Sequence, residues 1–247
     1  MSVVGGDRDA LEVSGPEATA FLQGQLSQDI DGVGEGQTVW SFILQPQGKV
    51  DALVRVTRLG PERWLLDVDG GYGDAVKARL ERFKLRTKAE IAPVTWSSVV
   101  ERLGLEGTVP APDEADGIDD HERHRIVAGW PKMGAEITDT TIPHETGIVD
   151  RTVSFTKGCF TGQELVARMD SRGGNAPRRL RGVVLEGAAP VGARIEVDGN
   201  QVGELTSVAG DVALAYVRRG AEPPLDATVA WDGGSVGGRI EPLPLSR

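Results

Sequence analysis

Beyond Pro177 the chain alternates short β-rich runs with turns, and this pattern constrains the fold more than any other feature. Glycine, which supplies turns at low steric cost, accounts for 33 of the 247 residues. Several short strands with regular turn signals are typical of small barrels and sandwiches. We therefore predict a small, closed or partly closed β-barrel over residues 177–247. Its strands are expected at Leu180–Leu185, Arg194–Val197, Gln201–Val208, Val212–Tyr216, Thr228–Trp231 and Val236–Ile240.

The N-terminal part mixes helical and strand patterns. Ser14 and Glu17 have capping-box spacing and predict a helix from about Pro16 to Gln28. A hairpin is predicted by an apolar, β-rich run at Thr38–Leu44, a turn at 45–48 and alternating apolar residues from Val50 to Val56. The fold class is therefore α+β. Further predicted elements are strands at Trp64–Val68, Glu90–Val94 and Ser97–Leu103 and helices at Asp74–Leu85 and near Asp120–Gly129.

The domain boundaries follow from changes in composition. Residues 1–103 form an N-terminal α+β subdomain, and residues 104–120 form an acidic, Pro- and Gly-rich linker or loop. Residues 121–176 complete the core, and 177–247 form the barrel.

The net charge and the single cysteine limit the possible binding partners and the possible cellular compartment. Lys and Arg total 27 against 37 Asp and Glu, so the net charge of -10 opposes non-specific attraction to nucleic acid or an anionic membrane. No apolar run resembles a membrane span or secretory signal, and one cysteine cannot form an internal disulfide. A cytoplasmic protein without membrane contact is expected. The two histidines at 121 and 124 are three apart, so they do not match a zinc helix.

The only thiol lies in the segment Lys157-Gly158-Cys159-Phe160-Thr161-Gly162-Gln163-Glu164, called here the Cys segment. Thr161 and Glu164 have capping-box spacing, which predicts a helix from Thr161 to about Met169. Cys159 would then precede a helix N-terminus, where the dipole and Lys157 favour the thiolate. The alternative is a small buried apolar residue. A lone cysteine cannot supply the four thiolates of a stable cluster.

A basic stretch begins in the Cys segment. Six basic residues face two acids there, a local balance of +4, and such a cluster suits RNA phosphate or the carboxylates of a cofactor tail. The alternative is a solvated loop surface. The six residues are Lys157, Arg168, Arg172, Arg178, Arg179 and Arg181.

The Cys segment resembles the signature of the YgfZ family of folate-binding proteins. That family is related to glycine-cleavage aminomethyltransferase (T-protein) and to a mitochondrial iron-sulfur assembly factor. The similarity covers nearly the whole chain. The other similar segments are Phe21–Leu26, Gln47–Asp51, Arg125–Pro131, Ile142–Glu145 and Arg172–Asn175.

The resemblance implies a T-protein-like core of intertwined α+β subdomains around a cavity that binds tetrahydrofolate, followed by the barrel. By this resemblance Asp51 contacts the folate amine and Glu145 binds the pterin. Arg168 or Arg172 binds the folate tail. The implied role is a non-catalytic accessory for iron-sulfur cluster assembly or repair, including the enzymes that modify tRNA. Cys159 is the expected functional thiol, and iron-sulfur enzymes or assembly proteins are the expected partners.

Two other functions stay open. T-protein relatives usually carry two adjacent acids at the hairpin, whereas Asp51 is followed by Ala52, and Val127 replaces another of their acids. These departures weaken, without excluding, a folate-dependent one-carbon transferase in which Asp51 is catalytic. A third possibility is an RNA-binding module that uses the arginines at 168, 172, 178, 179 and 181.

Overall fold

The structure, a computed structural model, describes residues 8–95 and 118–246. Its N-terminal part is a five-stranded antiparallel sheet of order β2-β3-β4-β1-β5, crossed by two helices. The predicted strand at 97–103 and most of the predicted linker lie outside the described residues. The bounds are β1 (Arg8–Ser14), α1 (Ala18–Gln25), β2 (Thr38–Leu44), β3 (Val50–Gly60), β4 (Arg63–Asp69), α2 (Gly73–Lys84) and β5 (Glu90–Val94).

The hairpin β2–β3 is the centre of the N-terminal core. Phe42, Val54 and Val56 are fully buried, and Leu22 of α1 and Leu80 of α2 are equally inaccessible. Burying a side chain of this size stabilises a fold by about 1.5–3 kcal/mol. The hairpin turn is thereby held rigidly relative to both helices.

Strand β1 was not predicted, because charged residues open it. Arg8 forms ion pairs with Asp67 and Asp69 of β4, which lie far along the chain. The predicted capping box of α1 is wrong: Ser14 ends β1, and Glu17 instead accepts a hydrogen bond from the backbone N–H of Lys88. The helix therefore starts two residues later than expected.

The middle segment is built of short helices. They are α3 (Ile118–Val127), a 3₁₀ turn (Pro143–Glu145), α4 (Val149–Thr152) and α5 (Gln163–Ser171). The predicted capping box at Thr161 is also wrong, since Gly162 precedes α5 with φ +80° and no side chain caps the helix. None of the described helices is long and apolar enough to cross a membrane.

The predicted C-terminal barrel is confirmed. Six antiparallel strands close in the order β10-β11-β6-β9-β8-β7, and β10 pairs with β7. Val183, Ile195, Leu205, Val229 and Ile240 fill its interior. The strands are β6 (Arg178–Leu185), β7 (Arg194–Val197), β8 (Asn200–Ala209), β9 (Val212–Arg218), β10 (Leu225–Trp231) and β11 (Gly234–Glu241).

A buried polar network fastens the barrel to α3. The fully buried Glu136 accepts hydrogen bonds from Arg125 (3.0 Å), Thr206 (2.7 Å) and Ser207 (2.6 Å). Arg125 also forms an ion pair with Glu122. Although burial alone raises the pKa of Glu122, the hydrogen bonds and charge of Arg125 lower that pKa to about 2. Every charge in this network has a partner, which a buried site requires.

Candidate functional site

A cavity of about 490 Å³ lies between the β2–β3 hairpin and α2. We call it the hairpin cavity. Volumes of this size are typical of small-molecule sites. Its lining combines a carboxylate, amides, two aromatic rings and two guanidinium groups, and includes Gln45, Asp51, Tyr72, Arg79, Arg82 and Phe83.

Arg79 fixes the position of Asp51 in this cavity. Its Nε donates to Asp51 Oδ2 at 3.0 Å, and Nη2 donates to the Leu44 carbonyl at 2.8 Å. The guanidinium stacks on Phe83, 3.7 Å from the ring centroid. Burial lowers the pKa of Arg79, and the Asp51 carboxylate opposes that shift. The Asp51 side chain is 27% exposed, and no described residue donates a hydrogen bond to its Oδ1. One carboxylate oxygen is therefore open to a ligand.

The Cys segment packs directly on the hairpin turn. A Cβ placed on Gly162 would lie 2.4 Å from the Gln45 carbonyl oxygen, and one on Gly48 would lie 2.4 Å from Leu165 Cβ. Only glycine permits such a close approach. Gln25 completes the link, since its Oε1 accepts from both Arg79 (3.1 Å) and the Thr161 hydroxyl (3.5 Å). The structure therefore joins the Cys segment to the hairpin cavity.

Lys157 anchors the Cys segment to the end of α1. Its ammonium donates to the carbonyls of Gln23, Leu26 and Gln28, each at 2.8 Å. Burial lowers the pKa of Lys157 to about 8. Because an ammonium has three N–H donors, these carbonyls occupy them all. The described hydrogen bonds of Lys157 are thus made to the end of α1, and its support of the Cys159 thiolate stays a prediction.

Cys159 is exposed, so its interpretation as a buried apolar residue is wrong. The next residue, Phe160, packs against the N-terminal core, and its backbone N–H donates to Gln163 Oε1 at 3.1 Å. The segment is consequently fixed on both sides of the thiol, by Lys157 and by Phe160. An accessible thiol on a fixed segment is what a reaction with another molecule requires.

Glu145 lies in a different setting from Asp51. It is buried, and both carboxylate oxygens accept from Arg178, at 3.1 and 3.2 Å. It is not among the residues that line the hairpin cavity. The two acidic segments are nevertheless neighbours, because the Val50 N–H donates to the Thr141 carbonyl at 2.8 Å. The implied contact of Glu145 with a pterin stays a prediction.

The basic stretch does not form one continuous charged surface. Arg178 is paired with Glu145 and Arg181 with Glu222, while Arg179 donates to the Gly174 carbonyl. Arg168 and Arg172 are exposed and lie outside the lining of the hairpin cavity. These pairings leave few free cations for a nucleic acid backbone.

The sequence did not point to Arg79, which lines the cavity together with Phe83. The two residues are four apart on α2 and therefore face the same side of the helix. That spacing was the available signal. The side chains to which Arg79 donates, Asp51 and Gln25, lie far away in the sequence.

Comparisons with known proteins agree with this architecture. Residues 178–234 match the family described as CAF17, C-terminal beta-barrel domain. The chain superposes on the glycine cleavage system aminomethyltransferase T of Bartonella henselae with a TM-score of 0.82 and 19% identity, covering 96% of this chain and 83% of that one.

Sequence relatives carry two kinds of name. An iron-sulfur cluster assembly factor IBA57 homolog of Neurospora crassa is 28% identical over 74% of this chain and 54% of its own length. An aminomethyltransferase of Streptomyces avermitilis is 28% identical over 94% of this chain and 58% of its own. Over most of its length the chain is similar both to aminomethyltransferases and to IBA57-type assembly factors. Its barrel is of the CAF17/IBA57 type, and the fold predicted from the family resemblance is confirmed. The match spans just over half the length of these two relatives.

Proposed function

We propose that this chain binds tetrahydrofolate in the hairpin cavity and assists iron-sulfur cluster assembly or repair. Cys159 is its functional thiol in this role. The observation that carries the proposal is the junction of the two candidate elements. The Cys segment and the cavity share the hairpin turn through Gly48 and Gly162, and they share Gln25 through hydrogen bonds.

The residues of the cavity fit a folate. The open Asp51 oxygen can accept a hydrogen bond from a folate nitrogen, and Tyr72 and Phe83 supply flat apolar surface for a ring. Arg82 is exposed at the same cavity and can meet a carboxylate of the tail. Tetrahydrofolate, when bound, supplies a reduced pterin ring. The chain itself binds and orients that ring, and Arg79 holds Asp51 in place.

The folate proposal is tested by calorimetric titration of the full-length chain with tetrahydrofolate. We expect saturable binding that Asp51→Asn weakens by about tenfold or more, since hydrogen bonds to charged groups contribute about 1.5–3 kcal/mol. Cys159→Ser is the matched control and should bind as wild type. Absent binding by wild type, or equal binding by Asp51→Asn, contradicts the proposal.

The iron-sulfur proposal rests on the exposure of Cys159 and on the names of the IBA57-type relatives. A lone thiol can share a cluster transiently with a partner protein or act in thiol chemistry. Tests use a strain that lacks the chain's homologue, with aconitase-type activity and thiolated tRNA as readouts. Cys159→Ser should fail to restore either, while Gly158→Ala, one residue away in open space, should restore both. Full rescue by Cys159→Ser refutes the role of the thiol.

A one-carbon transferase is the second candidate, favoured by the superposition on aminomethyltransferase T and by the presence of Asp51 in the cavity. In either role the ion pair with Arg79 engages Asp51 Oδ2, so Oδ1 is the oxygen left to contact a ligand. Turnover of an aminomethyl donor with tetrahydrofolate, abolished in Asp51→Asn, would support the transferase. The accessory role predicts folate binding without turnover.

A further inference from the structure

A second cavity, of about 260 Å³, lies on the outer face of the barrel over β6, β9 and β8. We call it the barrel groove. None of the hairpin-cavity residues takes part in it, so it is a separate place on the molecule. Its polar lining comprises Arg178, Gln201, Glu204, Thr206, Tyr216 and Arg218.

Two arginines face each other in this groove. Arg178 of β6 and Arg218 of β9 are direct partners in the strand register, which places both side chains on one face of the sheet. Like charges opposite one another are destabilising. Arg218 is exposed and forms no ion pair with any described residue. Glu145 balances the charge of Arg178, so an anion bound between the two guanidinium groups would balance the charge of Arg218.

The guanidinium of Arg178 is fixed in position by its neighbours. Glu145 binds its Nε and Nη2, and the guanidinium stacks 4.2 Å from the centroid of the Tyr216 ring. Its remaining nitrogen, Nη1, has no hydrogen-bond partner among the described residues. A fixed guanidinium loses little side-chain entropy on binding. Glu145 thus acts here as a positioning residue for Arg178.

The other polar groups of the groove form hydrogen bonds within the chain or point away from the groove. The Thr206 hydroxyl donates to Glu136 at 2.7 Å, and the Gln201 amide donates to the Gly203 carbonyl at 3.4 Å. Glu204 is an acid in the lining, but its Oε1 lies toward Gly192 on the β7 side. The donors left over are guanidinium groups, which bind acceptor-only, negatively charged oxygen groups.

We propose that the barrel groove is an oxyanion-binding site in which Arg178 and Arg218 hold one phosphate or carboxylate group. The site does not depend on folate binding in the hairpin cavity. Its test is NMR titration of the full-length chain with inorganic phosphate and, separately, with glutarate, at constant ionic strength. Saturable shifts are expected at the amides of residues 201–206 and 216–218 in at least one titration. Saturation by phosphate alone identifies a phosphate-bearing ligand, and by glutarate alone a carboxylate.

Charge-matched variants separate the site from general electrostatics. Arg218→Gln should weaken binding by about tenfold or more, because it removes one of two charge-assisted contacts. Arg239→Gln makes the same charge change elsewhere on the barrel, where Arg239 is paired with Asp226 and Glu241, and should bind as wild type. Shifts that never saturate, or equal weakening by both variants, overturn the proposal.

Discussion

Replacing Gly162 with alanine tests how tightly the Cys segment is packed on the hairpin. The residue has φ +80°, and its new Cβ would lie 2.4 Å from the Gln45 carbonyl oxygen and 2.8 Å from Leu44 Cβ. The left-handed backbone costs about 1–2 kcal/mol for a non-glycine residue. Overpacking a rigid site costs about 1–3 kcal/mol more. We therefore expect Gly162→Ala to lower the free energy of unfolding by about 3 kcal/mol.

Two other glycines isolate the contributions. Gly147 has φ +77° with open space around it, so Gly147→Ala should show the backbone cost alone, about 1–2 kcal/mol. Gly158 has open space and no positive φ, so Gly158→Ala should change stability by less than about 0.5 kcal/mol. Thermal unfolding followed by circular dichroism measures all three, with a fall of about 6–12 °C expected for Gly162→Ala. The packing argument is refuted if Gly162→Ala is no more destabilising than Gly147→Ala.

Three further variants test the remaining interactions. The pKa of Glu122 is lowered to about 2. Ionised Glu122 therefore contributes its full stabilisation at any pH above the ordinary pKa of a glutamate, and this stabilisation is lost as the pH falls toward 2. After discounting for partial exposure, Glu122→Gln should cost about 1–2 kcal/mol at pH 7 and flatten the acid denaturation curve. Lys157→Met should lower the free energy of unfolding by about 1–3 kcal/mol in thermal unfolding, because it leaves backbone carbonyls without their donor. Arg79→Ala should weaken tetrahydrofolate binding because Asp51 loses its support, and Arg79→Lys should restore it only in part. Calorimetry would show equal affinity in both Arg79 variants and wild type if that support were irrelevant.

The elements that the sequence predicted well are those whose signals are local. Each barrel strand is short, apolar on one face and bounded by turns, and all six appear within a few residues of the predicted bounds. The hairpin strand Thr38–Leu44 appears as predicted for the same reason. Turn chemistry and strand alternation act over a handful of residues, so a single sequence carries them.

The errors share a different cause, namely tertiary contacts that override local signals. Glu17 was assigned to a helix cap but binds the backbone of Lys88. Strand β1 begins at Arg8, whose acidic partners Asp67 and Asp69 lie on β4. In both cases the decisive contact joins residues far apart in the sequence, and no local pattern reports it.

The candidate site divides in the same way. Asp51 and the Cys segment were found through motifs, and the structure links them at the hairpin turn. Arg79 was missed, because its contacts with Asp51 and Gln25 span 28 and 54 residues. Lys157 was found as a motif residue, but its role in holding α1 depends on carbonyls that only the folded chain assembles.

A crystal structure of the full-length chain with tetrahydrofolate tests the central claim most directly. The account predicts a ligand in the hairpin cavity, with a folate nitrogen within hydrogen-bond distance of Asp51 and with the Asp51–Arg79 ion pair intact. A folate bound in the barrel groove, or a hairpin cavity that stays empty at saturating folate, would contradict it.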